Sequence, residues 1–101
     1  MNRTALHILL SLAGRDLHGY GIMQDVAQQS EGVFKPGPGI VYDNLQRLIE
    51  RGLVEEVQRA DSEDPRRRYY RLTDSGRNAL SEEVTRLEEV VRLAKLHLQR
   101  S

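Results

Sequence analysis

The sequence contains no cysteine, no tryptophan and no excess charge of either sign: fifteen Lys and Arg are matched by fifteen Asp and Glu. Without cysteine there is no disulfide framework, no thiolate metal site and no thiol nucleophile. No apolar run is long enough to span a bilayer, and no cationic flank precedes a long apolar stretch near Met1. A cytoplasmic protein with no membrane partner is therefore expected. His7, His18 and His97 fall in three separate segments without ligand spacing, so no metal is expected. No Ser–His–Asp arrangement can be argued, and no site supports an enzyme or calls for a cofactor. The neutral balance excludes a simple polycation. By segment there are six cations against seven anions over 1–59, four against three over 60–73, and five against five over 74–101. Phosphate binding needs cations on one surface, however, not a cationic whole.

What is present is organised around residues 35–54, KPGPGIVYDNLQRLIERGLV. Pro36–Gly39 break any preceding helix, and proline suits a first helical turn. Val41, Leu45, Leu48 and Ile49 recur at helical spacing, and Gly52 stands where a left-handed cap ends a helix. On that helix Gly39, Asp43, Gln46, Arg47 and Glu50 lie opposite the apolar face, with Tyr42 on its flank. Such a helix can lie in a DNA major groove; alternatively it is a solvated amphipathic helix.

The flanking segments extend the pattern. Residues Arg3 to Ala13 read as a helix with two apolar faces: Leu6, Leu9, Leu10 and Ala13 on one, Ala5, Ile8 and Leu12 on the other. In a chain this small, near the low end for a self-sufficient core, the second face is expected to meet another chain. Gly14–Asp16 is a turn. His18-Gly19-Tyr20-Gly21 opens a second helix, with Ile22, Met23, Val26 and Ala27 facing inward. After Gly52, residues 53–58 and Arg66 to Leu72 read as two strands of a β-hairpin joined by a polar turn over 60–65. On the second strand Arg68, Tyr70 and Leu72 share one face; Arg67, Tyr69 and Arg71 share the other. Thr73-Asp74-Ser75 starts a last helix about 38 Å long. Its Leu80, Val84, Leu87, Val91, Ala94 and Leu98 alternate at four and three, a coiled-coil repeat. Val90, Leu93 and Leu96 widen the stripe, and Glu82–Arg86 and Glu88–Arg92 are expected to pair at i,i+4.

Three helices followed by a β-hairpin make a winged helix-turn-helix: a mainly α fold with a small hairpin, and a long C-terminal helix added. Residues 1–73 are expected to be the DNA-binding domain and 74–101 the dimerisation helix. His18–Met23, the run Gly37-Pro38-Gly39-Ile40-Val41-Tyr42 with Leu45, Leu48, Glu50, Gly52 and Leu53, and Arg67–Arg77 together resemble the PadR family of bacterial transcriptional regulators, specifically its short subfamily. The resemblance covers nearly the whole chain. It implies a dimeric regulator, in most members a repressor, with Pro38, Gly39 and Tyr42 near DNA at the start of the recognition helix. The family's usual Thr or Ser is replaced here by Ile40, which removes a hydroxyl that could cap the helix or bond a phosphate.

On these grounds the DNA-binding residues are expected to be Tyr20, Lys35, Pro38, Gly39, Tyr42, Asp43, Gln46, Arg47, Arg66, Arg67 and Arg68. Tyr20 either touches a phosphate or packs under the first helix. Asp43 either accepts from a cytosine amino group or, more simply, orients Arg47 one turn on. The dimer interface is expected to hold Leu6, Leu9, Leu80, Val84, Leu87, Val91, Ala94 and Leu98. The partners are then double-stranded DNA carrying a pseudo-palindromic operator and a second copy of the chain. A small apolar effector, if the protein has one, would enter near Val84, Leu87 and Val91. A winged-helix adaptor that holds a protein partner without binding DNA is the rival reading.

Overall fold

A computed structural model describes residues 1–59 and 67–99. The order is α1 (Arg3–Gly14), β1 (Leu17–His18), α2 (Gly19–Gln29), α3 (Pro38–Glu50), β2 (Val54–Val57), β3 (Tyr69–Leu72) and α4 (Asp74–Gln99). The expected polar turn over 60–65 and Arg66 lie outside the described residues. Strands β2 and β3 pair antiparallel from Val54↔Leu72 to Val57↔Tyr69. The sheet is larger than the expected hairpin. β1 adds to the other side of β3 through Leu17↔Tyr70 and His18↔Tyr69, giving the order β1-β3-β2. Two residues are too few for alternation to reveal a strand. Arg71 ties this edge down: its Nη2 donates to Asp16 Oδ2 at 2.9 Å, just ahead of β1.

The apolar faces of the three helices meet over the sheet. Ile8 and Leu9 of α1, Ile22 and Val26 of α2, and Val41, Leu45 and Leu48 of α3 are fully or almost fully buried. Val54, Tyr70 and Leu72 close the core from the sheet side and Leu80 from α4. Two residues expected between chains belong here instead. Leu9 has no exposed surface and Leu80 only 8 %, so both are spent inside their own chain. On α1 the core takes Ala5, Ile8, Leu9 and Leu12. The second face is Leu6, Leu10 and Ala13, of which Leu10 is exposed.

Each helix end has a physical cause. Asn2 Oδ1 accepts from Ala5 N–H at 2.7 Å, and Asn2 Nδ2 donates to Asn44 Oδ1 at 3.0 Å, joining the start of α1 to α3. α3 begins at Gly37 with no side-chain cap and Pro38 at its first position, where a missing N–H costs nothing. It ends at Gly52, φ 75°, with Gly52 N–H on Ile49 O and Leu53 N–H on Leu48 O. Thr73 joins this stop to α4: its hydroxyl donates to Gly52 O at 2.7 Å and accepts from Gly76 N–H at 2.9 Å. Gly76 lies so close to the strand entry that a Cβ would fall 2.0 Å from Leu53 O.

Of α4, only Gly76, Leu80 and Glu83 are buried; the helix then leaves the body and gives the molecule a long axis of 56 Å against 28 and 22 Å. Val84, Val90, Val91, Leu93, Leu96 and Leu98 are exposed along it. The ion pairs on its polar side differ from expectation by one residue. Arg86 pairs with Glu83, and Arg92 Nη2 and Nε donate to Glu89 at 2.6 and 3.0 Å, both pairs at i,i+3. At that spacing Arg92 meets both oxygens of one carboxylate.

Candidate nucleic-acid interface

The outward face of α3 holds Gly39, Tyr42, Asp43, Gln46, Arg47 and Glu50, all exposed, because the helix buries Val41, Asn44, Leu45 and Leu48. Asn44 is the polar exception on the inner face; its Nδ2 donates to Ile40 O at 2.8 Å and its Oδ1 accepts from Asn2. Asp43 Oδ2 lies 3.1 Å from Arg47 Nη2, so the carboxylate orients the guanidinium at i,i+4. Gln46 leans toward Glu50, at 3.4 Å.

The start of α3 meets the start of α2. Gly19, the first residue of α2, is buried against Tyr42, whose hydroxyl occupies the place of a Gly19 side chain. Tyr20 is 60 % exposed, so it does not pack under α1. The chain leading into β3 completes the arrangement. Tyr20, Tyr42, Arg67 and Arg68 line one cleft of about 320 Å³ with His18, Gly19 and Tyr70. Four of the expected DNA-binding residues, from three separate segments, are thereby brought together. Arg68 Nε lies 3.3 Å from Glu56 on β2. Pro38 and Gly39 are exposed on the first turn of α3. Lys35 stands apart in the α2–α3 connection, its stem 3.3 Å from where a Gly32 side chain would begin.

His18 was absent from the residues expected at this surface. It caps α2, with Nδ1 accepting from Gly21 N–H at 3.0 Å, and its Nε2 is 3.3 Å from Arg67 Nη1. Tyr69, its partner across the ladder, meets it edge-on at 5.4 Å. Burial, and then the Arg67 charge, push its pKa below the ordinary 6.5. Burial, and then the Glu56 carboxylate, push the Tyr70 phenol up. A histidine is not among the usual N-cap residues, so the helix-start signal in His18–Gly21 did not single it out. Arg59, which reaches over the Tyr69 ring at 5.2 Å, was also missed, because no periodicity marks a cation–aromatic contact.

No group of three or more potential metal ligands forms among the described residues. No helix among them is long and apolar enough to cross a membrane. Residues 8–82 match the transcriptional regulator PadR-like family. The chain belongs to that family. Transcriptional regulator Rv3488 of Mycobacterium tuberculosis is 37 % identical over 87 residues, which are 86 % of this chain and 78 % of that one. A PadR family transcription regulator from Clostridium difficile R20291 superposes with a TM-score of 0.82 at 22 % identity, covering 96 % of this chain and 99 % of that one. Bacillus subtilis PadR, solved in complex with operator DNA, superposes with a TM-score of 0.71 at 23 % identity over 83 % of this chain and 48 % of that one. The PadR-like fold is thus the winged helix expected from the order of elements, with its long final helix. Its family is one of transcriptional regulators, not of enzymes.

Proposed function

We propose that this PadR-like regulator is a homodimeric repressor that binds a pseudo-palindromic operator in the cytoplasm. The observation that carries the reading is the single cleft holding Tyr20, Tyr42, Arg67 and Arg68 beside the exposed polar face of α3. α3 enters the major groove with Tyr42, Asp43, Gln46 and Arg47, and its first turn, Pro38 and Gly39, approaches the backbone. Arg66, Arg67 and Arg68 at the wing and Lys35 before α3 hold flanking phosphates. Bacillus subtilis PadR, which shares this fold, was solved in complex with operator DNA, and that likeness supports the DNA-binding reading.

Residues 1–73 act as the DNA-binding unit and 74–101 as the dimerisation helix, whose first turns also close the core. The projecting stripe of Val84, Leu87, Val91, Ala94 and Leu98 pairs with its copy and with the partner's Leu6 face. Two α3 helices are then fixed about one DNA turn, roughly 34–36 Å, apart. An open apolar groove of about 520 Å³ runs along Val84, Leu87 and Val91. A small apolar effector entering there would change the spacing of the two helices.

The test is binding of the protein to the DNA upstream of its own gene, followed across salt concentration, with a reporter on that promoter. Tight binding whose logarithm falls linearly with log salt, and a reporter silenced by the protein, are expected. No affinity for that DNA would favour the adaptor reading instead.

A further inference from the structure

The hydrogen-bond roles of His18 do not close within the chain. A backbone N–H can only donate, so the bond from Gly21 N–H at 3.0 Å makes Nδ1 an acceptor. The hydrogen of the neutral ring must then sit on Nε2. Nε2 points at Arg67 Nη1, 3.3 Å away, and a guanidinium is also only a donor. Two donors therefore face each other at the mouth of the cleft. Tyr20, Tyr42 and Arg68 add further donors, and no carboxylate is among the described residues that line it. The missing component is an acceptor with several lone pairs and a negative charge.

We propose that His18, as the neutral Nε2–H tautomer, donates to a phosphodiester of the DNA backbone that it shares with Arg67. The inference rests on the DNA-binding reading above. The phosphate oxygen lies against both Nε2–H and Nη1–H and converts an unfavourable donor pair into two hydrogen bonds.

The ring does this without a charge. A second proton would have to go to Nδ1 and would break the cap on Gly21. The groups around His18 also oppose a charge. Arg67 is its charged contact, Tyr69 lies edge-on, and Tyr20 and Tyr42 stand across the cleft. Farther out Arg68 is paired with Glu56, Arg59 covers Tyr69, and Asp16 is engaged by Arg71. In the chain without DNA, burial and Arg67 lower the pKa of His18 in the same sense. His18 is thus a contact residue that adds affinity but no counterion release.

The experiment compares His18→Asn with Arg67→Ala. Asparagine keeps an acceptor for Gly21 N–H, and its shorter amide does not reach the place of Nε2, so the cap is kept and the outer contact is lost. His18→Asn is expected to weaken operator binding about tenfold with the salt slope unchanged. Arg67→Ala is expected to reduce that slope by about one unit per protomer, about two for the dimer. A methylphosphonate at the contacted phosphate should weaken wild-type binding and cost His18→Asn less, by about the share of His18, because only the Arg67 contact is left to lose there. In the wild-type protein, long-range ¹H–¹⁵N correlation should show the Nε2–H tautomer, and the Nε2 signal should move when operator is added. That measurement decides the matter even if His18→Asn does not fold. Wild-type affinity in His18→Asn alongside weak binding by Tyr42→Ala would overturn the inference and leave the DNA reading standing. So would an Nδ1–H tautomer or an unmoved Nε2 signal on DNA that binds. A wild-type protein without DNA affinity removes both.

Discussion

The Tyr42 hydroxyl fills the space that a side chain at Gly19 would need: a Cβ there would lie 2.1 Å from it. The first residue of α2 therefore sets where α3 holds its tyrosine. In Gly19→Ala the obstacle is the far end of a flexible side chain, so Tyr42 swings outward and the fold survives. Alanine is the better helix former by up to about 1 kcal/mol, which offsets part of the crowding. We expect a melting temperature near wild type and operator affinity reduced as far as in Tyr42→Ala. Unchanged affinity in fluorescence anisotropy would show that the position of Tyr42 does not matter for DNA.

Arg47 is held by Asp43, but both are well exposed, so the pair contributes only about 0.3–0.5 kcal/mol to stability. Arg47→Ala should accordingly leave urea denaturation almost unchanged. It should weaken operator binding and flatten the plot of log affinity against log salt by about one unit per protomer, about two for the dimer, if the lost contact is to phosphate. Wild-type affinity and slope together would mean that this face of α3 does not meet DNA.

Arg67 and Arg68 enter the cleft from the chain leading into β3, beside the tyrosines and not on α3. If these two hold the DNA backbone, they carry no direct sequence information. Replacing both by alanine should weaken operator and random duplexes by similar factors in competition titrations. A loss confined to the operator would show that the wing reads bases or groove shape.

The parts of this architecture that repeat are legible in the sequence. The α3 face was readable because Val41, Leu45 and Leu48 recur at helical spacing and Gly52 marks the stop. The tyrosine and arginine positions followed from that face and from the winged-helix order. What escaped were relationships across the chain. β1 is two residues long and shows no alternation. Asn44 looks polar and outward until Asn2 and Ile40 are seen to satisfy it. Leu9 and Leu80 belong to stripes that read as intermolecular, yet burial inside one chain uses the same residue types. The donor conflict at His18 depends on Gly21 and Arg67, which are far apart in sequence and leave no local signal.

His18 also links stability to pH. Its folded pKa lies below the ordinary 6.5, so the unfolded chain takes up that proton first as pH falls. The contribution of His18 is complete above about pH 6.5 and is lost as pH falls through that value toward the lower folded one. One such group can supply at most about 1.4 kcal/mol per pH unit, and a half-buried ring supplies less. Between about pH 7.5 and 5.5, His18→Asn should lose less stability in urea titrations than the wild type. Parallel curves would mean that His18 titrates alike in both states.

The core ends near Glu83, and about four further turns of α4 run on with an apolar stripe that the same chain does not cover. Val91 is 50 % exposed and Leu98 74 %. Fully burying an exposed Val or Leu contributes about 1.5–3 kcal/mol, so covering what is left of each of these contributes about 1–2 kcal/mol. Because Val91 lies beyond the core, Val91→Asp should fold and yet fail to dimerise, and Leu87→Asp should act in the same direction. A monomer presents one α3 to a two-part operator, so most affinity for the full site should go while binding to a half-site persists. Wild-type melting temperature should rise with protein concentration, and that of Val91→Asp should not. Sedimentation equilibrium tests the assembly directly. A folded wild-type monomer at micromolar concentration, or a Val91→Asp dimer, would mean that the stripe on α4 does not join two chains.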